Sequence, residues 1–508
     1  MATIYDIARE RANKRGIMSI DRYRAFQEKY RDDPVGFVRD CIRFDDEGEG
    51  LADYQRDVAS HIIPEKRVSA RGPHGLGKSM LSSVLILWFA LTRDGQDWKV
   101  VTTASAWRQL TKYLWPEVHK WARRIKWRKV GRKPFQRHEL MTTGLRLDTG
   151  EAFAVASNNP SYIEGAHADE MLYIFDESKA IPAATFDAAE GAFSGKGNHY
   201  AVAVSTPGDV NGRFYDIQSK KPGYEDWWVK HVTVQEMIKA GRQSREWVDQ
   251  RRKQWGEQSA IYKNRVLGEF ANTSENGIIP LSWVELANER WYEWVDAGRL
   301  GKVEAIGGDV GITNDKSVAA LNYDGTKIDT LQRFSKPNPE IATMEITGRF
   351  LGIMNNHINA PAIIDVIGIG AGVVHRLNEL GKNVVAYNAA EKTDTKDRLN
   401  ELGFVNKRSA AWWMVREMLD PEIGDDIALP PDDELMGDLT TPTYRVMSGG
   451  KIQVESKKDI RKRIGRSTDA ADAVIQALVG RKLAGSNVTV LSASEYMKTR
   501  ANRGNENV

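Results

Sequence analysis

Two α/β units in series, the first built on a mostly parallel sheet, are what this sequence of 508 residues predicts. Three observations carry the prediction. From Arg67 to Ser205 short apolar strands alternate with helical stretches, the pattern of βα units. Beyond Val303 the order changes to three strands in a meander, then helix, strand, helix, strand and a late helix. Between the two, residues 271–277 (Ala-Asn-Thr-Ser-Glu-Asn-Gly) have the composition of a linker.

The bulk numbers set bounds. With 41% hydrophobic and 28% charged residues the chain reads as globular, and its length implies two to four domains. A net charge of +3 is close to balance, so any nucleic-acid affinity must come from local clusters. Cys41 is the single cysteine, which excludes an internal disulfide and a cysteine-based zinc site and suits a reducing compartment. No apolar run approaches the roughly 18 residues of a membrane span, and the charged start lacks a signal peptide's apolar core. The expectation is a cytosolic protein with no membrane partner.

The predicted divisions are an N-terminal helical segment at 1–50, a core at 51–213, a helical subdomain at 214–270, a linker at 271–300, a second α/β domain at 301–485 and a polar tail at 486–508. Within the core, Gly72 to Ser79 fits G-x-x-x-x-G-K-[ST] at every position. Gly72, Gly75 and Gly77 let backbone N–H groups turn toward phosphate oxygens, and Lys78 adds a point charge at the β/γ-phosphates. Ser79 offers a hydroxyl to Mg²⁺, and the helix that follows aims its positive end at the anion. The preceding strand, from Arg67 to Ala70, is only weakly signalled. Tyr54 and Gln55 stand about 22 residues ahead, where an amide could read the adenine edge and a ring could stack on it. Surface glutamine is common, and taken alone such a pair is more often an ordinary surface feature than a functional one.

From Met171 an apolar strand ends in Asp176-Glu177, 98 residues after Lys78. Asp176 is expected to hold Mg²⁺ and Glu177 to polarise the water attacking a γ-phosphate, so the unit reads as a P-loop ATPase of the RecA/ASCE type using ATP and Mg²⁺. The strand from Tyr200 to Ser205 brings Ser205 and Thr206 beside the carboxylates, where hydroxyls could sense the γ-phosphate. Residues 120–137 hold nine Lys or Arg among eighteen, interleaved with Trp121, Trp127 and Phe135. That mixture suits phosphate contact with base stacking, or equally a solvated face.

In the second domain, Asp309 lies on the first strand, Asp315 in the turn after it, Asp365 at the end of the fourth strand, and Asp469 and Asp472 one helical turn apart near the end. Single aspartates are more often caps and turn residues. Their order along three strands, helix, strand, helix, strand and helix is that of a ribonuclease-H-like nuclease. Two Mg²⁺ or Mn²⁺ ions about 4 Å apart need such a set of hard oxygen ligands. Lys457, Lys458, Arg461, Lys462, Arg463 and Arg466 precede the last pair, where a DNA backbone would need them.

A P-loop ATPase followed by a ribonuclease-H-like nuclease resembles the large terminase subunit of tailed bacteriophages, from about Leu51 to Leu478. Carrying the likeness are the two ATPase motifs, Gly268-Glu269-Phe270, Gly307-Gly308-Asp309-Val310 with Asp315-Lys316-Ser317, Asn406-Lys407-Arg408 with Trp412-Trp413, and Ser467 to Ala473. The resemblance implies that Tyr54 and Gln55 meet adenine, that Lys78, Ser79, Asp176 and Glu177 form the ATPase centre, and that Ser205-Thr206 couple it to motion. It makes Asp309, Asp365 and Asp472 the principal nuclease ligands and Asp469 a fourth. It further implies double-stranded DNA, a portal ring on a procapsid and a small terminase subunit as partners. A homo-oligomeric ring, a pentamer, is expected during packaging and a monomer in free solution, in the cytoplasm of a bacterial host. An arginine from a neighbouring subunit is expected too; 162–167 holds none, which leaves Arg146, Arg213 or the 120–137 segment. The rival readings are a cellular ATP-dependent nuclease or helicase-like repair protein, and an ATP-switched DNA-binding scaffold whose nuclease half is inactive. The tail reads as a docking segment or a frayed end.

Overall fold

The computed structural model describes residues 16–45, 50–157, 160–271, 277–311, 317–335, 337–447 and 449–484. The start of the N-terminal segment, the turn at 46–49, most of the linker candidate, Asp315 and the polar tail lie outside the described residues. The chain divides into two compact units, one of Met1–Arg252 with Tyr262–Asn272, the other of Lys253–Ile261 with Thr273–Val508.

The first unit is organised on eight strands: β1 (Arg67–Arg71), β2 (Trp98–Ala104), β3 (Leu140–Met141), β4 (Gly144–Arg146), β5 (Gly150–Ala156), β6 (Glu170–Asp176), β7 (Asn198–Ser205) and β8 (Trp228–His231). Their order is β3-β4-β5-β2-β6-β7-β1-β8, parallel from β5 through β8 and antiparallel at the β3–β4–β5 edge. Both faces are covered, so the inner strands read as continuous apolar runs. Leu172, Ile174, Val202 and Val204 fill one side, while Met171, Tyr173, Phe175 and Ala203 fill the other. Register then does the placing. Arg71 pairs with Ser205, and both Ala70 and Asp176 pair with Val204, so three strands finish at one edge of the sheet.

β1 forms despite its weak signal because β7 and β8 flank it on both sides. Helix Lys78–Arg93 is apolar all round, since the sheet covers one side and helices Ile20–Tyr30 and Pro34–Cys41 the other. Trp88 seals that layer by donating from Nε1 to the Tyr30 carbonyl at 2.6 Å. The aromatics of 120–137 belong to the same core: Trp121 is buried against Phe44, Trp127 packs edge-on to Phe135 with centroids 4.8 Å apart, and Arg132 is buried on Glu139. Trp121 is thus turned into the core rather than toward a partner, while Trp127 and Phe135 are partly buried against it. Residues 214–270 are not a purely helical subdomain either, because β8 completes the sheet; four half-buried residues at an edge give no alternating pattern to read.

The second unit carries β9 (Val303–Asp309), β10 (Ser317–Tyr323), β11 (Lys327–Ile328), β12 (Gln332–Phe334), β13 (Ala362–Asp365) and β14 (Val384–Tyr387). The order is β11-β10-β9-β13-β14, with β12 also on β10; β9 and β10 are antiparallel, and β13 is parallel to both β9 and β14. This is the ribonuclease-H-like arrangement the sequence predicts. Strands β15 (Gly403–Phe404), β16 (Tyr444–Val446) and β17 (Lys451–Val454) make a small second sheet. Helix Leu281–Asp296 lies within the predicted linker, yet Trp291 and Trp294 pack on Ala428, and Asn288 donates to the carbonyls of Leu429 and Pro430 at 2.9 and 3.1 Å. The unit thus starts well before 301, and it also holds the buried Trp255.

Gly307 and Gly308 set the thickness of this unit. A Cβ on Gly307 would stand 2.0 Å from the Ala473 carbonyl, and one on Gly308 2.5 Å from Phe350. Only bare backbone lets helix Asp469–Ile475 lie directly on β9. Gly307→Ala is therefore expected to destabilise the second unit by about 1–3 kcal/mol or more. Gly348→Ala, in open space inside helix Ala342–Asn356, is expected to stabilise it by roughly 0.5–1 kcal/mol. Denaturant midpoints of the two full-length variants check the opposite signs.

Candidate active sites

The first site forms where β1, β6 and β7 end. Gly75 and Gly77 adopt φ of +85° and +78°, left-handed backbone that turns the loop into the helix beginning at Lys78. Tyr54 and Gln55 lie beneath the loop, both buried. Tyr54 donates from its hydroxyl to the Leu76 carbonyl at 3.0 Å, and the Gln55 amide donates to the carbonyls of Leu76 and Gly77, each at 3.3 Å. Gln55 Oε1 accepts from the Ala52 amide at 3.0 Å. The sequence set this pair against adenine; in the structure the same polar atoms clamp the loop's own backbone. From the other side the segment before Phe270 presses in. His74 N donates to the Arg265 carbonyl at 2.8 Å, and a Cβ on Gly268, itself at φ +69°, would stand 2.7 Å from the Gly72 Cα.

Lys78 reaches Glu177, with Nζ to Oε1 at 3.0 Å. Burial pushes the Glu177 carboxyl up, but Lys78 and Lys179 outweigh it and hold it below the usual carboxylate range. Asp176 goes the other way: burial, then the neighbouring Glu177 charge, push it up to about 7. Ser205 donates to Glu177 Oε2 at 3.3 Å and accepts from the Lys179 amide at the same distance, so the predicted coupling segment touches the carboxylate. Thr206 is buried beside it. Ser79 sits in the helix's first turn. Of the arginines considered for a neighbour's site, Arg213 is committed to Asp187 at 2.6 Å, while Arg146 is exposed on β4.

The second site gathers Asp309 at the end of β9, Asp365 at the end of β13, and Asp469 and Asp472 on the helix laid over Gly307; all four are buried. Among them stands Lys457, expected from sequence on a DNA backbone. Its Nζ lies 2.7 Å from Asp309, 3.1 Å from Asp472 and 4.0 Å from Asp469. Burial opposes that charge, but Asp309 and Asp472 prevail and keep the ammonium above the ordinary lysine range. Burial pushes Asp365 up to about 6 and also raises Asp309. For Asp472 burial is outweighed by Arg408 and Lys457, which hold it low.

Asp472 is the most heavily held. Arg408 pairs with Oδ1, Trp412 Nε1 donates to the same oxygen at 3.2 Å, and Thr468 donates to Oδ2 at 2.9 Å. In the sequence Arg408 and Trp412 stand only as part of the motif that carries the likeness, with no role of their own. Their spacing of four on helix Lys407–Leu419, with a buried arginine needing an anion, was the available signal. Arg463 and Arg466 pair with Glu455 and Asp438, and Lys458, Arg461 and Lys462 of the basic run are exposed. Among the described residues no three acid, imidazole or thiol side chains converge as they would around one ion. The donors nonetheless fit a hard cation, since the buried carboxylates of Asp309, Asp469 and Asp472 lie within 4.0 Å of an ammonium that stands in for positive charge, with Asp365 in its electrostatic field.

No protein-family model matches the chain. It is 24% identical over 260 residues to a curated protein of Enterobacteria phage P7 described as a probable terminase, large subunit, a match covering 47% of this chain and 51% of that one. The chain thus spans about half the length of the curated relative it matches. Among solved structures it is similar to the nuclease domain of the large terminase subunit gp2 of bacterial virus Sf6, with 18% identity, 40% of this chain and 98% of that one covered, and a TM-score of 0.33. It is similar as well to the large terminase of the thermophilic bacteriophage D6E, with 12% identity, 85% and 100% covered, and a TM-score of 0.39. With a phosphate-loop site and a four-carboxylate site in one chain, and with that sequence similarity beside them, what this chain resembles is the large terminase subunit of tailed bacteriophages.

Proposed function

We propose that the chain is a viral DNA-packaging motor subunit, in which ATP hydrolysis by the first unit drives double-stranded DNA into a procapsid and the second unit cuts the concatemer. One observation carries the reading: Asp309 and Asp365 at neighbouring strand ends face Asp469 and Asp472 on the helix laid over β9, in the same chain as the Lys78–Glu177 site. A portal ring, a small terminase subunit, assembly as a ring and work in the bacterial cytoplasm follow from the same reading. No described helix is long and apolar enough to cross a membrane.

In the first unit the loop amides and Lys78 would bind the phosphates, with Ser79 and Asp176 holding Mg²⁺. Glu177, kept ionised by Lys78, would take the proton of the attacking water, and Ser205 would report the change at that carboxylate to β7. In the second unit Asp309, Asp365 and Asp472, with Asp469, would hold Mg²⁺ or Mn²⁺, which when bound supplies a nucleophile at neutral pH and neutralises phosphate charge. Arg408, Trp412 and Thr468 fix the direction of Asp472. Lys457 would exchange carboxylate partners for DNA phosphate as the cations enter.

A second reading, an ATP-switched DNA-binding scaffold with an inactive nuclease half, is favoured by Lys457, whose charge already compensates the cluster. Cutting of plasmid DNA by the full chain with Mn²⁺, abolished by Asp365→Ala, is the expected result; no cutting by the unaltered chain selects the scaffold. Glu177→Gln is expected to slow ATP hydrolysis by at least about 100-fold while leaving that cutting in place. Gln55→Leu, which unclamps the loop, is expected to weaken ATP and GTP binding alike by about fivefold; a change in base preference would return Gln55 to the adenine edge. Because Asp365 is raised to about 6, its ligand form is lost as pH falls through that value, and cutting should fall with it. Cation and proton compete for the same oxygens, so pH profiles at low and high Mn²⁺ should show the midpoint moving down as Mn²⁺ rises.

A further inference from the structure

Helix Asp469–Ile475 carries two of the four carboxylates, yet its N-terminus is not capped by the residue its own sequence offers. Thr468 occupies the N-cap position without bonding a first-turn amide. Its hydroxyl is turned onto Asp472 instead, and that of Ser467 onto Asp469. The vacated capping place is filled from another helix. Asp438, on Asp433–Thr440 and 0% exposed, accepts from the Ala470 amide at 3.1 Å through Oδ2. Its Oδ1 pairs with Arg466 Nη1, and Arg466 Nε donates to the Gln254 carbonyl at 2.5 Å. Gly437 keeps this assembly tight, since a Cβ there would stand 3.1 Å from both Arg466 Nη2 and Trp255 Cδ1.

A buried ion pair is seldom worth more than apolar residues of the same shape, so stability alone is a poor reason for burying Asp438. Its oxygen at a helix N-terminus has a local use: it satisfies an orphan donor, the Ala470 amide. Thr468 Oγ1 is engaged on both its sides away from the helix amides, donating to Asp472 Oδ2 at 2.9 Å and accepting from Arg408 Nη2 at 3.4 Å. We propose that Asp438, with Arg466 as counter-ion, is a positioning residue for the carboxylate centre: it caps the acid-bearing helix from outside and so releases Thr468 and Ser467 to orient Asp472 and Asp469. The proposal rests on the reading of that centre as a metal-dependent nuclease.

The test uses full-length protein and supercoiled plasmid with Mn²⁺. Asp438→Asn keeps an acceptor but loses the charge, and Asp438→Leu loses both. Cutting at saturating Mn²⁺ is expected to slow by about tenfold in the first and further in the second, with the Mn²⁺ requirement raised, DNA affinity unchanged and ATP hydrolysis unchanged. Amide exchange at Ala470 should quicken by about fivefold in Asp438→Leu. Cutting within twofold of the unaltered chain in both variants, or an Ala470 amide that exchanges no faster, overturns the proposal. Should Asp438→Leu fail to fold, Arg466→Lys decides: it keeps a counter-ion, so near-normal Ala470 protection and cutting are expected, and loss of both overturns it. If the unaltered chain does not cut at all, the nuclease reading falls, whereas Ala470 exchange still reports whether Asp438 caps the helix.

Discussion

A carboxylate buried at the end of a strand needs a cation close by, and both units meet that need with a lysine delivered from a different element. In the first, Lys78 begins a helix and reaches Glu177 at the end of β6. In the second, Lys457 begins helix Lys457–Ile464 and reaches Asp309 at the end of β9 and Asp472 on another helix. Either carboxylate set without its lysine would leave uncompensated charge in a low-dielectric site, a cost of several kcal/mol. The rest of each site is arranged around that compensation.

The two sites differ in how the compensation is shared. Around Lys78 it is uneven: the lysine charge holds Glu177 low, while burial and the Glu177 charge push Asp176 up. Groups whose environments drive their pKa values apart are those suited to different jobs. Around Lys457 the same split appears between Asp472, doubly covered by Arg408 and Lys457, and Asp365, which sits farther from cations. Asp472 is thereby favoured in its charged form, whereas burial raises Asp365 and Asp309.

Backbone economy brings these groups within reach. Gly268 lets the closing segment of the first unit lie on the phosphate loop, and Gly307 lets the acid-bearing helix lie on β9. In both places a methyl group would hold two segments apart by more than a hydrogen bond tolerates. These glycines are structural in the strict sense, yet the distances on which the chemistry depends follow from them.

Periodicity and motif order were enough to determine the fold class, the parallel sheet, the reordered second sheet and the residues at the ends of their strands. Those features depend on local pattern: apolar runs, turn residues, and Asp or Lys at a fixed remove from a strand. Gln55, Lys457, Arg408 and Trp121 were visible in the same sequence but not their partners. A glutamine that clamps a loop and one that meets a base have the same neighbours in sequence, and a lysine in a basic run does not announce that it turns inward. The same holds for β8 and for helix Leu281–Asp296, whose membership in a unit depends on what they pack against. Sequence determined which groups the chain owns and the strand ends they occupy; only the tertiary structure decided which charges neutralise one another, because that pairing is settled by burial and distance between segments far apart in the chain, as with Lys457 and Asp309, separated by 148 residues.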